Sequence, residues 1–276
     1  MTNVRAQSKG RVDHERGGVA MGVLDQFGLA GQVAVVTGSG KGIGRGIALC
    51  LAEAGADVVV AARNEAEIKE VASEIQALGR RAIAVPTDVT EEGALEALSK
   101  RTIDELGSLT IWVNNAGGIP DTTARYLTKV DDTAWDLQLD LNLKAVWAGS
   151  KAAAAAMSDS GGSIINISSR TAFGPQNKNG PYGAAKAAVN SLTETLSVEL
   201  APRIRVNAVA PGPIPTQNFI ECTKVDPSQL DAMEKALPIP LKRFGTPEDI
   251  GAAVVFMASP AASWVTGQCL YVTGGM

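Results

Sequence analysis

Short apolar runs alternate along the chain with longer stretches in which apolar residues recur every three or four positions, and the alternation begins at Val33. The runs at 33–37, 57–62, 81–85, 110–113, 163–168, 204–208 and 269–272 lack a clean inside–outside alternation, so they read as strands buried on both faces. Helical patterns lie between them at 42–54, 65–78, 91–106, 132–157 (one long helix), 181–200 and 247–258. A strand followed each time by a helix predicts an α/β fold. It would be a doubly wound parallel sheet of about seven strands with helices on both faces, a single domain over 21–276 that takes ligands at the carboxyl ends of its strands. The regularity lapses in two places. Residues 1–20 are polar, lack periodicity and have no apolar core of a secretory signal; they read as a disordered tail, with Met21 as an alternative start. The stretch 211–244 carries Pro213, Pro215, Pro227, Pro238 and Pro240 around a short helical pattern at 227–237. It predicts a substrate lid over about 213–244, with Ile214, Phe219, Ile220, Met233 and Leu237 as its apolar residues.

Composition then removes several classes of function. The 276 residues are 45% hydrophobic and 20% charged, an ordinary globular balance. A formal net charge of -4 gives no electrostatic reason to expect nucleic acid or an anionic membrane as partner. No apolar run approaches the length of a membrane span. Cys50, Cys222 and Cys269 are widely spaced and fit no zinc pattern; they read as reduced thiols of a cytoplasmic protein, packed as small hydrophobes. The one histidine, His14, lies in the polar N-terminal segment. A folded body without histidine cannot run Ser-His-Asp or Cys-His catalysis or build a histidine-ligated site, and no metal is expected.

The remaining candidate chemistry concentrates in 169–186. Tyr182 and Lys186 stand four apart in an Ala-rich helical pattern, so a phenol and an ammonium share one face. Ser169 closes the preceding strand. These three groups together can move a proton on and off an alcohol or carbonyl oxygen. A free phenol has a pKa of about 10, and a lysine one turn away is expected to lower it. The first strand, for its part, runs into Thr37-Gly38-Ser39-Gly40-Lys41-Gly42-Ile43-Gly44 and then a helix. In that context glycines let the backbone approach a pyrophosphate, and the helix start offers N–H groups and a positive dipole end. A nucleoside-triphosphate loop would need Ser or Thr after Gly40-Lys41, and Gly42 stands there.

Thr37, Gly38, Gly42 and Gly44 match the Thr-Gly-x-x-x-Gly-x-Gly motif of the short-chain dehydrogenase/reductase family, which the sequence resembles from Val33 onward. Asp88-Val89, Asn114-Asn115-Ala116-Gly117, Asn142 in Leu-Asn-Leu-Lys, and Pro211-Gly212-Pro213-Ile214-Pro215-Thr216 match further motifs of that family. Ser169, Tyr182 and Lys186 match its catalytic set; Tyr182 follows Ser169 by 13 positions, which favours Ser169 over the neighbouring Ser168. The ending departs at Thr273, where an acidic residue is usual. The resemblance implies a Rossmann-like fold and hydride transfer to or from a nicotinamide dinucleotide. Tyr182 would be the acid–base group, Ser169 would hold the substrate oxygen, Lys186 would bond the ribose, and Asn142 would position a relay water. Implied cofactor contacts are Gly38, Ser39, Lys41, Gly42, Ile43, Gly44, Arg63, Asn64, Asp88, Val89, Asn115, Ala116, Gly117, Tyr182, Lys186, Pro211, Gly212, Ile214 and Thr216.

The second strand ends at Ala62, where an acidic residue would bind the ribose 2′-hydroxyl of NAD, and Arg63 follows. With Lys41 in the glycine loop, this favours NADP(H), with NAD(H) possible. The apolar lid suits a hydrophobic ketone or secondary alcohol, a hydroxysteroid or a 3-oxoacyl thioester; Arg170, Lys178, Lys242 and Arg243 are candidate basic residues for the latter. A redox sensor that binds NADP(H) without turnover is the alternative, and it would have no need of the Ser–Tyr–Lys set. Ala density in 132–157 and 181–200 permits close helix pairing, and the family resemblance implies a homodimer or homotetramer.

Overall fold

Ladders of backbone hydrogen bonds join β1 (Val33–Thr37), β2 (Asp57–Ala62), β3 (Ala82–Pro86), β4 (Ile111–Asn114), β5 (Gly162–Ile167), β6 (Ile204–Pro211) and β7 (Cys269–Val272) into one sheet. The strand order is β3-β2-β1-β4-β5-β6-β7 and every pairing is parallel. This computed structural model describes residues 22–276; the tail expected at 1–20 and the start at Met21 lie outside the described residues.

Strand side chains alternate across the sheet and feed two cores. On one face Val36, Val58, Val60 and Ile165 pack with Ile47 and Leu51 of α1 (Gly42–Glu53), Ile68 and Ile75 of α2 (Glu65–Ala77), and Ile250 and Val254 of α9 (Pro247–Ala258). On the other, Val35, Val59, Trp112 and Ile164 meet Leu95 and Leu98 of α3 (Ala94–Leu106) and Ala152 and Ala153 of α5 (Ala145–Ala156). Continuous apolar strands are what burial on both faces requires.

One polar network runs through the second core. The Trp112 indole donates to Asn114 Oδ1 at 2.7 Å. Asn114 Nδ2 donates to Ser150 Oγ at 3.1 Å and Asn166 Oδ1 at 2.9 Å, and Asn166 donates to Thr193 Oγ1 at 2.9 Å. It ties β4 and β5 to α5 and to α6 (Gly180–Glu199) behind the site.

The expected long helix over 132–157 is interrupted. α4 (Asp132–Leu139) passes through a π turn, Asp140–Lys144, before α5, and the Ala145 N–H bonds back to Asp140 O. That widened turn carries Asn142. The helix expected from 91 begins at Ala94, because Gly93 before it adopts a left-handed φ of 77°. β6 runs three residues beyond the expected 208, to Pro211. The lid stretch folds into α7 (Gln217–Thr223), a 3-10 turn at Pro227–Gln229 and α8 (Leu230–Ala236).

Candidate active site

β1 sits between β2 and β4, so connections leave it in opposite directions and a crevice opens at the carboxyl ends of β1 and β4. The Thr37 hydroxyl donates to Val113 O at 3.2 Å and accepts from the N–H groups of Asn115 and Ala116, each at 3.0 Å. Asn115 Nδ2 donates to Thr37 O at 2.8 Å and Gly38 O at 3.1 Å. Gly38 takes a φ of 65°, and a Cβ on Gly44 would lie 2.3 Å from Gly38 O, so the turn closes only with glycine at both places.

Ser39 does not present its side chain to a ligand. Its N–H bonds Ala61 O at 3.2 Å, while its hydroxyl donates to Val36 O at 2.7 Å and accepts from Ala61 N–H at 3.0 Å. Its hydroxyl is a strut under the loop, so any contact with a cofactor would be through the backbone. Asn64 is likewise engaged, because its Oδ1 caps α2 by accepting from Ala66 and Glu67 N–H. Asp88 accepts from the Thr90 N–H and hydroxyl, which holds its carboxyl below the ordinary value, with a further contribution from Arg63. Ile43 and Val89 pack into the first and second core respectively. On the far side of the crevice, Pro211 ends β6, Gly212 N–H bonds Val272 O at 2.9 Å, and Ile214 is buried. Thr216 caps α7 and lies against Gly42.

The fit to a dinucleotide rests on α1. No side chain caps its N-terminus, whereas Asn64 caps α2 and Thr246 caps α9. The uncapped first-turn N–H groups behind the glycine loop suit a pyrophosphate, and Gly38, Lys41, Gly42 and Gly44 stand where they would hold it.

β5 and α6 deliver the proton-handling groups. Ser169 follows β5 and opens the turn Arg170–Phe173, its Oγ accepting from Thr171 N–H at 3.1 Å. Ser168 is buried and turned away, its hydroxyl donating to Lys186 O at 3.3 Å. Lys186 is buried, donates to Ile167 O at 2.8 Å and lies 5.7 Å from the centre of the Tyr182 ring. Burial lowers its ammonium to about 8. Burial also pushes the Tyr182 phenol above its ordinary value of 10.0, while the Ser169 hydroxyl acts to lower it and Cys222 on α7 to raise it. The expected lowering of the phenol by Lys186 is not found: burial sets the direction of the shift, and Ser169, not Lys186, opposes it.

Asn142 Nδ2 donates to Gly118 O at 2.8 Å and Gln138 O at 3.1 Å, and its Oδ1 accepts from Gly118 N–H at 2.9 Å. The carboxamide has no N–H left for a relay water; it holds the turn at Gly118. It still borders the site, because a Cβ on Gly117 would lie 2.9 Å from Asn142 Oδ1 and 3.4 Å from Lys186 Nζ. Gln138, one turn earlier and buried, also donates to Gly118 O at 3.2 Å. Sequence reasoning missed Gln138; its signal is the four-residue spacing to Asn142. Cys222, expected only as packing, donates its thiol to Asn218 Oδ1 at 3.7 Å within α7. Among the described residues no group of three or more His, Cys, Asp or Glu could hold a metal ion. No helix among them is long and apolar enough to cross a membrane.

Residues 38–276 match the family model described as enoyl-(acyl carrier protein) reductase. A short-chain dehydrogenase/reductase of Aspergillus oryzae is 42% identical over 255 residues, covering 91% of this chain and 97% of its own length. The chain belongs to the short-chain dehydrogenase/reductase family. As a member of it, the protein is an oxidoreductase that acts on CH–OH groups with NAD(P). A 3-oxoacyl-[acyl-carrier-protein] reductase of Synechocystis sp. is 39% identical over 252 residues, covering 90% of this chain and 98% of its own. The structure of a 7α-hydroxysteroid dehydrogenase complexed with NADH and 7-oxo glycochenodeoxycholic acid superposes with a TM-score of 0.85. It is 36% identical and covers 92% of this chain and 98% of that one.

Proposed function

We propose that this short-chain dehydrogenase/reductase interconverts a hydrophobic ketone and its secondary alcohol, with NADP(H) preferred to NAD(H). The observation that carries the reading is the meeting of Ser169, Tyr182 and Lys186 where the crevice opens beyond β5. The nicotinamide, when bound, supplies or takes the hydride. Tyr182, a phenol and so protonated at neutral pH, gives its proton to the substrate oxygen in reduction and recovers it in oxidation. Ser169 holds that oxygen. Lys186 gives one N–H to Ile167 and keeps two, for the ribose and for the phenolate that proton transfer leaves.

The dinucleotide preference rests on this chain's own residues, because the hydroxysteroid dehydrogenase neighbour is complexed with NADH. Ala62 puts no carboxylate at the end of β2, Arg63 follows it exposed, and Lys41 stands in the adjoining loop. The apolar substrate is supported by the lid, where Phe219 of α7 meets Phe244 edge-on at 5.8 Å and Ile214 is buried beside the crevice. The test is a turnover assay with NADPH and NADH on a steroid ketone, an acetoacetyl thioester and a small diketone. We expect NADPH to be the better donor. Tyr182→Phe should keep its melting temperature and NADPH affinity while turnover drops about 10³-fold or more. Retained turnover would move the proton donor to another group, and a preference for NADH would remove the dinucleotide assignment.

A further inference from the structure

We propose that Glu67 is a specificity-determining residue of the dinucleotide site: its carboxylate engages Lys41 and holds the preference for NADPH to a modest margin. The inference rests on reading the corner between the glycine loop and the end of β2 as the seat of the 2′-phosphate. Ala62 removes the carboxylate expected at the end of β2, but the fold returns one from α2. A Cβ added to Gly40 would lie 3.0 Å from both Cβ and Oε2 of Glu67, so this side chain covers the turn of the glycine loop. Its Oε1 lies 4.0 Å from Lys41 Nζ. The placement is built in. Asn64 caps α2 by accepting from the N–H groups of Ala66 and Glu67 at 3.1 and 3.4 Å, which fixes Glu67 in the first turn, facing the loop.

Lys41 has a second partner in Gln217 Oε1 at 3.1 Å, and Arg63 lies close enough to Asp88 to act on its carboxyl. The corner therefore holds two cations, each with a carboxylate neighbour. A 2′-phosphate must compete with Glu67 for Lys41 and is repelled by it at short range. A 2′-hydroxyl carries no charge and meets neither effect. Glu67 thus discriminates between the two cofactors by charge alone.

The experiment measures Kd for NADPH and NADH by nicotinamide fluorescence on the full chain, wild type and Glu67→Gln. Glutamine keeps the size of the cover over Gly40. The expected result is a Kd for NADPH lower by about three- to tenfold, an NADH Kd changed less than about twofold, and a gap that shrinks as salt is raised. Equal changes in both affinities would show a role in shaping the loop and overturn the proposal, as would an unchanged ratio. Wild-type protein that prefers NADH would sink the NADPH preference proposed above. Glu67→Gln would still decide this inference, because its readout is the change in ratio.

Discussion

Lys186 is a cation stationed where water hardly reaches it, 3% exposed, with its ammonium down to about 8 from an ordinary 10.5. The unfolded chain keeps that proton up to about pH 10.5, while the folded chain sheds it near 8. Between those values the unfolded state binds more protons, so this group's contribution to stability rises with pH through that window and is least favourable below it. We predict that Lys186→Met is inactive yet more stable than wild type at pH 7 by about 2 kcal/mol. That is a shift worth about 3 kcal/mol less about 1 for the lost bond to Ile167. The advantage should vanish by about pH 10.5 in urea titrations, and a gap independent of pH would show that burial of the charge is not its origin. Tyr182 and Lys186 were legible in the sequence because a spacing of four puts them on neighbouring turns of α6, whereas Ser169, beyond β5, was legible only through the family resemblance. The direction of the Tyr182 shift was not, because it depends on how much water the packed chain excludes. The engagement of the Ser39 hydroxyl was hidden for a related reason: in a glycine loop it looks free, and only the pairing of β1 with β2 shows it bonded.

At the scale of elements, the sheet and most helices follow from apolar periodicity, but their junctions do not. The π turn at Asp140–Lys144 exchanges one hydrogen bond for another, and no composition marks that exchange. Glu67 was equally hidden, because a charge on an amphipathic helix reads as solvated until the loop above it is placed. The packing of α5 on β4 is decided at Gly149. A Cβ there would lie 2.2 Å from Asn114 Oδ1 and 3.0 Å from Trp112 Nε1, inside the buried network that joins β4, β5, α5 and α6. Gly149→Ala should destabilise the protein by about 2–4 kcal/mol, from overpacking together with a broken Trp112–Asn114 bond. A urea midpoint within error of wild type would show that α5 shifts freely and the network does not lock it.

Across the whole molecule the stretch expected as a lid, 213–244, bridges the two halves of the sheet. Its leading edge rests on the dinucleotide side, with Thr216 against Gly42, Gln217 on Lys41 and Asn218 over Gly118. Its trailing edge returns to the other side, where Leu241 N–H bonds Gly274 O at 3.1 Å and Arg243 pairs with Asp249 at 2.6 Å. Between the edges, Lys224 is exposed in a left-handed turn with φ 55°. Saturating NADPH should slow tryptic cleavage at Lys224 and Lys235, followed by peptide masses over time, because a dinucleotide held at the glycine loop would add contacts to the leading edge. Equal cleavage rates with and without NADPH would mean that the lid does not sense the site. The glycine loop behaves differently. The bonds that shape it, from Thr37, Ser39 and Asn115, all come from the protein itself. Its conformational entropy is therefore spent once, when the chain folds, and not again in each catalytic cycle. Successive dinucleotides enter and leave a seat that keeps its form. Encounter should run at an ordinary docking rate of about 10⁵–10⁷ M⁻¹s⁻¹, and the difference between one nucleotide and another should be read in how long each stays.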